Sequence, residues 1–345
     1  MRRTIEWKEN KVIMIDQRKL PHNLEIITCK NYHEVADAIK KMAIRGAPAI
    51  GAAAAYGMAL AAINIHSDNM PEFLQELEKA SNELSFTRPT AVNLFWAIKE
   101  IWSIIEREKY SVSEIRANIL LKAEQIAQQD IQTNYMIGNN GVELFDDGDN
   151  ILTHCNAGSL ATVFFGTALG VIRSVFEKKN NIKVFADETR PVLQGARLTA
   201  WELKSEKIPI TLICDSVAGF LMFKKKINKV IVGADRITSN GDVANKIGTY
   251  SLSVLAKEHK IPFYVAAPFS TIDFSIKRGN EITIEERDKE EVTNIMGQSI
   301  APIGIDVYNP AFDITPNKNV SAIITEKGII KPPFLSNLKK VNKNN

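Results

Sequence analysis

The chain has 345 residues, 45% of them hydrophobic and 24% charged, with a formal net charge of +3. That length suggests two domains, each with its own sizeable core, and the composition excludes a disordered chain and a nucleic-acid surface. Three widely spaced cysteines, Cys29, Cys155 and Cys214, form no CxxC pair, which excludes a disulfide framework and a zinc site and suggests a reducing, cytoplasmic setting.

The opening Met1-Arg-Arg-Thr-Ile-Glu-Trp7 lacks the apolar segment that a secretory signal needs. Residues 4–7 and 11–15 alternate around a turn, and 24–28 adds a third run, so a small sheet is predicted. From Tyr32 the period becomes helical and stops at Arg45-Gly46-Ala47-Pro48, where Pro48 suits the first turn of a helix predicted over 49–63. The uncharged stretch 47–65 raises the question of a membrane span. It is mostly alanine and glycine, which insert poorly, so a closely packed helix is expected and no membrane. Helices are also predicted over 70–84, from Thr90 to Glu108, and over 112–140. Residues 1–130 therefore read as a mainly helical N-terminal domain with a small β-sheet, and 131–345 as a second domain.

Beyond Asn150 short apolar strands alternate with helices: strands over 151–153, 183–186, 210–213, 230–232 and 263–266, helices over 160–177, 194–206, 216–223 and 243–259. That rhythm predicts an α/β domain with a Rossmann-like parallel sheet covered on both faces. Residues 303–308 and 320–324 read as edge strands, 309–310 and 313–317 as loops, Lys224-Lys225-Lys226 as a solvated helix end, and 338–345 as a frayed tail. The first strand-to-helix turn offers Asn156-Ala157-Gly158 rather than GxGxxG, which disfavours a nicotinamide site, and no GxxxxGK[ST] loop is present.

Cys155 ends the first strand of this domain and Asp235 ends Lys229-Val-Ile-Val-Gly-Ala-Asp235. In an open parallel sheet both fall on the carboxyl edge, where ligands bind. A thiol near free backbone N–H groups ionises more easily than usual, but cysteine at an apolar strand end is also ordinary core. Asp235 serves either as a helix cap or as a cleft acid, whose pKa would rise if it were partly desolvated. Polar residues recur at the following strand ends, Asp187-Glu188-Thr189-Arg190 and Asp215-Ser216. Gln194, Asn245 and Lys246 add donors, with Lys246 placed near a helix start where it could meet a phosphate. Arg45-Gly46-Ala47 before a helix is a candidate anion cradle and Arg88 a second cation; each taken alone is equally a surface arginine. His154 points away from Cys155 in a regular strand, which favours packing.

Arg45-Gly-Ala-Pro-Ala-Ile-Gly51, Thr153-His-Cys-Asn-Ala-Gly158, Ala186-Asp-Glu-Thr-Arg-Pro191, Gln194-Gly-Ala-Arg197, Gly233-Ala-Asp-Arg-Ile237 and Asn240-Gly-Asp-Val-Ala-Asn-Lys-Ile-Gly-Thr249 together resemble the methylthioribose-1-phosphate isomerase family. The likeness spans nearly the whole chain. The superfamily also contains regulatory subunits of a eukaryotic translation-initiation exchange factor. The resemblance implies an aldose-to-ketose isomerisation of 5-methylthioribose 1-phosphate in methionine salvage, with no metal or organic cofactor and a homodimeric assembly. It implies Cys155 and Asp235 as the catalytic pair, meeting across one dry pocket, and Arg45, Gly46, Ala47, Arg88, Gln194, Asn245 and Lys246 as substrate-holding residues.

One stretch departs from the family pattern. Val163-Phe164-Phe165-Gly166 stands where a smaller or polar residue and Tyr-Gly are usual. An apolar lining suits a methylthio or 5-deoxy group and discourages a second phosphate, so 5-deoxyribose 1-phosphate ranks next as substrate and ribose 1,5-bisphosphate below it. The rival from another class is a non-catalytic regulatory subunit.

Overall fold

The computed structural model describes residues 2–88, 91–106 and 109–343. The chain divides into two compact units, Met1–Gln132 with Ser159–Gly166, and Thr133–Gly158 with Thr167–Asn345.

The first unit opens with an antiparallel sheet of β1 (Ile5–Lys8), β2 (Lys11–Ile15) and β3 (Ile26–Cys29). The helices α1 (Tyr32–Lys40), α2 (Ala47–Asn64), α3 (Met70–Phe86), α4 (Val92–Ser103) and α5 (Val112–Gly141) follow. Asn31 and Asn69 start α1 and α3 by accepting N–H bonds from Glu34 and Glu72 at 3.0 and 3.2 Å. The α2 helix has no polar stripe because every residue from Ala49 to Ala62 is buried. By length and composition it could cross a membrane, with 78% of it buried; here it is the centre of the unit's core. The predicted helix ends Thr90 and Glu108 lie outside the described residues.

The second unit runs β4 (Asn150–Thr153), α6 (Ala168–Lys179), β5 (Lys183–Asp187), α7 (Ala200–Ser205), β6 (Ile210–Ile213), α8 (Val217–Phe223), β7 (Lys229–Val232), β8 (Arg236–Thr238), β9 (Val243–Lys246) and α9 (Thr249–Glu258). Then come β10 (Phe263–Ala266), β11 (Ile272–Asp273), α10 (Glu290–Thr293), β12 (Asn294–Ile295), β13 (Gln298–Ser299), β14 (Phe312–Thr315), β15 (Ala322–Thr325), β16 (Gly328–Ile330) and α11 (Phe334–Lys343). The main sheet has the order β16-β15-β10-β7-β4-β5-β6, parallel except for β16. Leu152, Val230 and Val232 enter one apolar cluster and Ile151 and Ile231 another, so the alternating side chains fill cores on both faces. The expected parallel-sheet architecture is present.

Several elements differ from expectation. The helix predicted over 243–259 is strand β9 followed by α9, because Gly248 has φ +104° and residues 243–246 pair with β14. That same pairing makes 312–315 a strand where a loop was expected. The helix predicted from residue 160 starts only at Ala168, since Phe165 and Gly166 have φ +75° and +82°. Residues 303–308 form no strand, and the one predicted over 320–324 is β15. The helix predicted over 194–206 is a π-helical turn, Gly195–Thr199, running into α7. The tail is not frayed from 338: Leu338 is fully buried within α11, while Asn344 and Asn345 lie outside the described residues.

Because α2 is covered on all sides, Ala53→Leu forces extra volume into a full core. It is expected to cost about 1–3 kcal/mol and lower the urea midpoint. An unchanged midpoint would show that α2 is not packed all round.

Candidate active site

The site is built where strands of the main sheet end. Cys155 lies two residues past β4 and Asp235 three past β7, and these strands are neighbours running in parallel. The close approach of their turns needs a glycine: a Cβ on Gly233 would lie 2.7 Å from Ala157 Cβ. Asp235 N–H donates to Ala244 O at 2.9 Å, which ties the acid to β9 beside Asn245. Cys155 is half-buried. Asp235 is exposed, not partly desolvated as the sequence-based mechanism requires.

The Cys155 backbone adopts φ +60°, a left-handed conformation that costs a non-glycine residue on the order of 1–2 kcal/mol. Its N–H donates to Thr189 Oγ1 at 2.8 Å and its carbonyl accepts from Thr199 Oγ1 at 2.6 Å. Both threonines are fully buried. Asn156 donates to Thr199 Oγ1 at 3.1 Å and to Glu202 Oε1 at 2.8 Å, and Glu202 in turn pairs with Arg173 at 2.7 Å. Removing one partner of a buried pair like this costs about 3–5 kcal/mol, so the network is a rigid support rather than a surface ornament. Burial pushes the Cys29 thiol up to about 12, and the Glu188 charge raises that of Cys214.

His154 is buried and bonded at both ring nitrogens, Nδ1 to Asp187 Oδ2 and Nε2 to Ile247 O, each at 2.9 Å. The ring closes on Gly248, where a Cβ would come within 2.9 Å of it. Asp313 completes this clamp by accepting from Gly248 N at 2.7 Å and Tyr250 N at 2.9 Å. Burial opposes a charge on His154, but the hydrogen bond to and charge of Asp187, with the Ile247 carbonyl, outweigh it and hold the imidazole above its ordinary pKa. Burial likewise raises Asp187 and Asp313. The expectation that His154 packs rather than reacts agrees with this placement.

His154, Asp187 and Asp215 bring ligand-type atoms within 4.8 Å of one another. Asp215 spends both oxygens on the Thr189 and Arg190 N–H groups, at 2.7 and 2.8 Å, and His154 spends both nitrogens as described. Among the described residues this is a hydrogen-bonded fixture of the strand ends.

Gln194 is buried just before the π-helical turn, and its Oε1 has no hydrogen-bond partner, which leaves an acceptor open to a ligand hydroxyl. Asn245 donates to Thr249 Oγ1 at 3.0 Å. Lys246, on a strand rather than a helix start, donates to Ala311 O at 3.0 Å and lies 4.6 Å from the Phe312 ring centre. Arg45, Gly46, Ala47 and Arg88 belong to the first unit. Gly46 caps α2 at φ +93° with Ala161 Cα 2.4 Å from where its Cβ would be, so only glycine fits. Arg45 Nε donates to Gln17 Oε1 at 3.2 Å, and Ala47 is the first residue of α2. Arg88 is half-buried, its carbonyl accepting from Ala91 N at 3.0 Å. Phe164 packs on the first unit's core, in a turn rather than a helix.

Sequence reasoning missed Thr199, Glu202, Arg173 and Asp313. None carries a local signal, because their importance arises only from the partners that folding brings to them.

A family model described as the initiation factor 2 subunit family matches residues 43–332, and the chain belongs to that family. Within it, the chain is 57% identical over 338 residues to the methylthioribose-1-phosphate isomerase of Acetivibrio thermocellus, covering 97% of this chain and 98% of that one. The Pyrococcus horikoshii 5-methylthioribose 1-phosphate isomerase structure matches with TM-score 0.95 and 49% identity, covering 100% and 97% of the two chains. A structure described as translation initiation factor eIF-2B, subunit delta, from A. fulgidus matches with TM-score 0.90 and 50% identity, covering 99% and 100%.

The raised His154 pKa sets a pH dependence. Its contribution to stability is full below the unfolded value of about 6.5 and is lost as pH rises through the higher folded value. The Tm difference between wild type and His154→Gln is therefore expected to be larger at about pH 6 than at about pH 9. An equal difference at both would mean that the ring carries no extra proton.

Proposed function

We propose that the protein is an aldose-ketose isomerase that converts 5-methylthioribose 1-phosphate to 5-methylthioribulose 1-phosphate in methionine salvage. The observation that carries this is near-full-length identity to proteins of that name. The origin of Cys155 and Asp235 at the ends of neighbouring parallel strands supports their pairing in the chemistry.

A sugar phosphorylated at C1 cannot open to a free aldehyde, so a proton must first reach the ring oxygen. We assign that donation to Asp235. In this structure the carboxyl is exposed, so the role requires that bound substrate cover it and remove water. Hydrogen then moves from C2 to C1, either by a proton relay through Cys155 as thiolate or by a direct hydride shift beside it, and the C2 hydroxyl loses its proton as the ketone forms, which balances the proton given to the ring oxygen. Arg45, Gly46, Ala47, Arg88, Gln194, Asn245 and Lys246 are proposed to hold the substrate, chiefly its phosphate. The open Gln194 acceptor supports its share of that role.

The likeness to the A. fulgidus chain described as eIF-2B subunit delta supports a regulatory subunit as the second reading. A homodimer is also proposed, supported by the edge strand β6, which exposes Leu212, and by exposed Phe220 and Phe223 on α8. A cytoplasmic location is also proposed, supported by Cys29, Cys155 and Cys214 forming no disulfide, and cell fractionation tests it.

Purified protein is expected to turn over 5-methylthioribose 1-phosphate faster than 5-deoxyribose 1-phosphate or ribose 1,5-bisphosphate, and to sediment as a dimer. Asp235→Asn and Cys155→Ala are each expected to lower kcat by at least about 10³-fold with Tm kept. Wild-type inactivity on all three sugars would favour the regulatory reading.

A further inference from the structure

The chemistry above leaves three buried features near the strand ends without a role. These are the His154–Asp187 pair, the Arg173–Glu202 pair, and the hydroxyls of Thr189 and Thr199. The hydroxyls touch Cys155 itself. Thr189 Oγ1 accepts from the Cys155 N–H at 2.8 Å and donates to Asp187 O at 3.2 Å. Thr199 Oγ1 donates to the Cys155 carbonyl at 2.6 Å and accepts from Asn156 Nδ2 at 3.1 Å. Each hydroxyl thus uses its single proton once and accepts once, so the two sides of Cys155 are held by groups whose own direction is fixed.

The conformations make this arrangement unusual. Cys155 has φ +60° and Thr189, a β-branched residue, has φ +65°. The left-handed region is one that threonine seldom enters, and glycine or asparagine would adopt it with less strain. The Thr189 backbone is kept there by Asp215, which accepts its N–H at 2.7 Å. Strain of this kind persists only where its surroundings impose it, and it clusters at working sites. Thr199 ends the π-helical turn, another irregularity common at such sites. That turn is jammed against β5: a Cβ on Gly195 would lie 1.7 Å from Asp187 O, so only glycine lets Thr199 come this near.

We propose that Thr189 and Thr199 are positioning residues for the isomerase reaction, gripping the peptide groups on either side of Cys155 and aiming its thiol. This rests on the role proposed above for Cys155. Both hydroxyls act through the Cys155 backbone, on its N–H and its carbonyl.

Valine preserves the shape of threonine and deletes the hydroxyl, whereas serine keeps the hydroxyl. In the full-length enzyme with 5-methylthioribose 1-phosphate, T199V is expected to lower kcat about 10- to 100-fold with KM within about threefold, and T199S to stay within about threefold of wild type. Wild-type kcat in T199V, or T199S as impaired as T199V, overturns the proposal; if T199V does not fold, T189V against T189S decides by the same criteria. Alkylation by iodoacetamide, followed peptide by peptide in the mass spectrometer, separates this from the assigned reaction. The Cys155 rate is expected to change by at least about threefold in T199V while that of Cys214 stays constant, even if wild type turns over no sugar phosphate. An unchanged Cys155 rate overturns the proposal.

Discussion

The parallel pairing of β4 with β7 is the constraint on which the rest depends. It joins the ends of two strands whose key residues, Cys155 and Asp235, stand 80 positions apart in the chain. Parallel strands bury both faces, and Ile151, Leu152, Val230, Ile231 and Val232 are accordingly all fully buried. A core of that kind fixes where the strands stop, and the chemistry-bearing turns begin at that line. Gly233, with no room for a Cβ, lets the two turns touch.

Around that line polar groups are buried at a cost. The His154–Asp187 pair, the Arg173–Glu202 pair and the left-handed backbones of Cys155 and Thr189 each destabilise the fold unless their partners are complete. Hydrogen bonds supply nearly all of these partners, Asp187 Oδ1 alone among the atoms of the two pairs being left without one. His154 and Asp313 grip the Ile247–Gly248 peptide between them, which fixes the turn just after Asn245 and Lys246. The result is a set of turns held rigid by interactions that lie behind the reactive side chains.

Much of this was legible in the sequence. The apolar runs ending in Cys155 and Asp235 gave their own strand positions because period and length agreed. Gly46 was flagged by its place before Pro48. Strand β9 was hidden because Val243-Ala-Asn-Lys246 runs without a break into a helical pattern, and only its partner Phe312–Thr315, about 70 residues later, makes it a strand. The exposure of Asp235 and the half-turn at Phe165–Gly166 were equally invisible, since both follow from how turns pack and not from residue type. Thr199 stood out least: a threonine in a helical stretch reads as surface until its hydroxyl is seen on the Cys155 carbonyl.

Chains near 50% identity to this one carry both an isomerase name and an initiation-factor name. What separates the two is whether Cys155 works on a bound sugar phosphate. The most direct measurement is protection: peptide-resolved alkylation with and without saturating 5-methylthioribose 1-phosphate. The sugar is expected to slow alkylation at Cys155 and to leave exposed Cys214 unaffected. Equal alkylation of Cys155 with and without the sugar would contradict a catalytic role for that thiol.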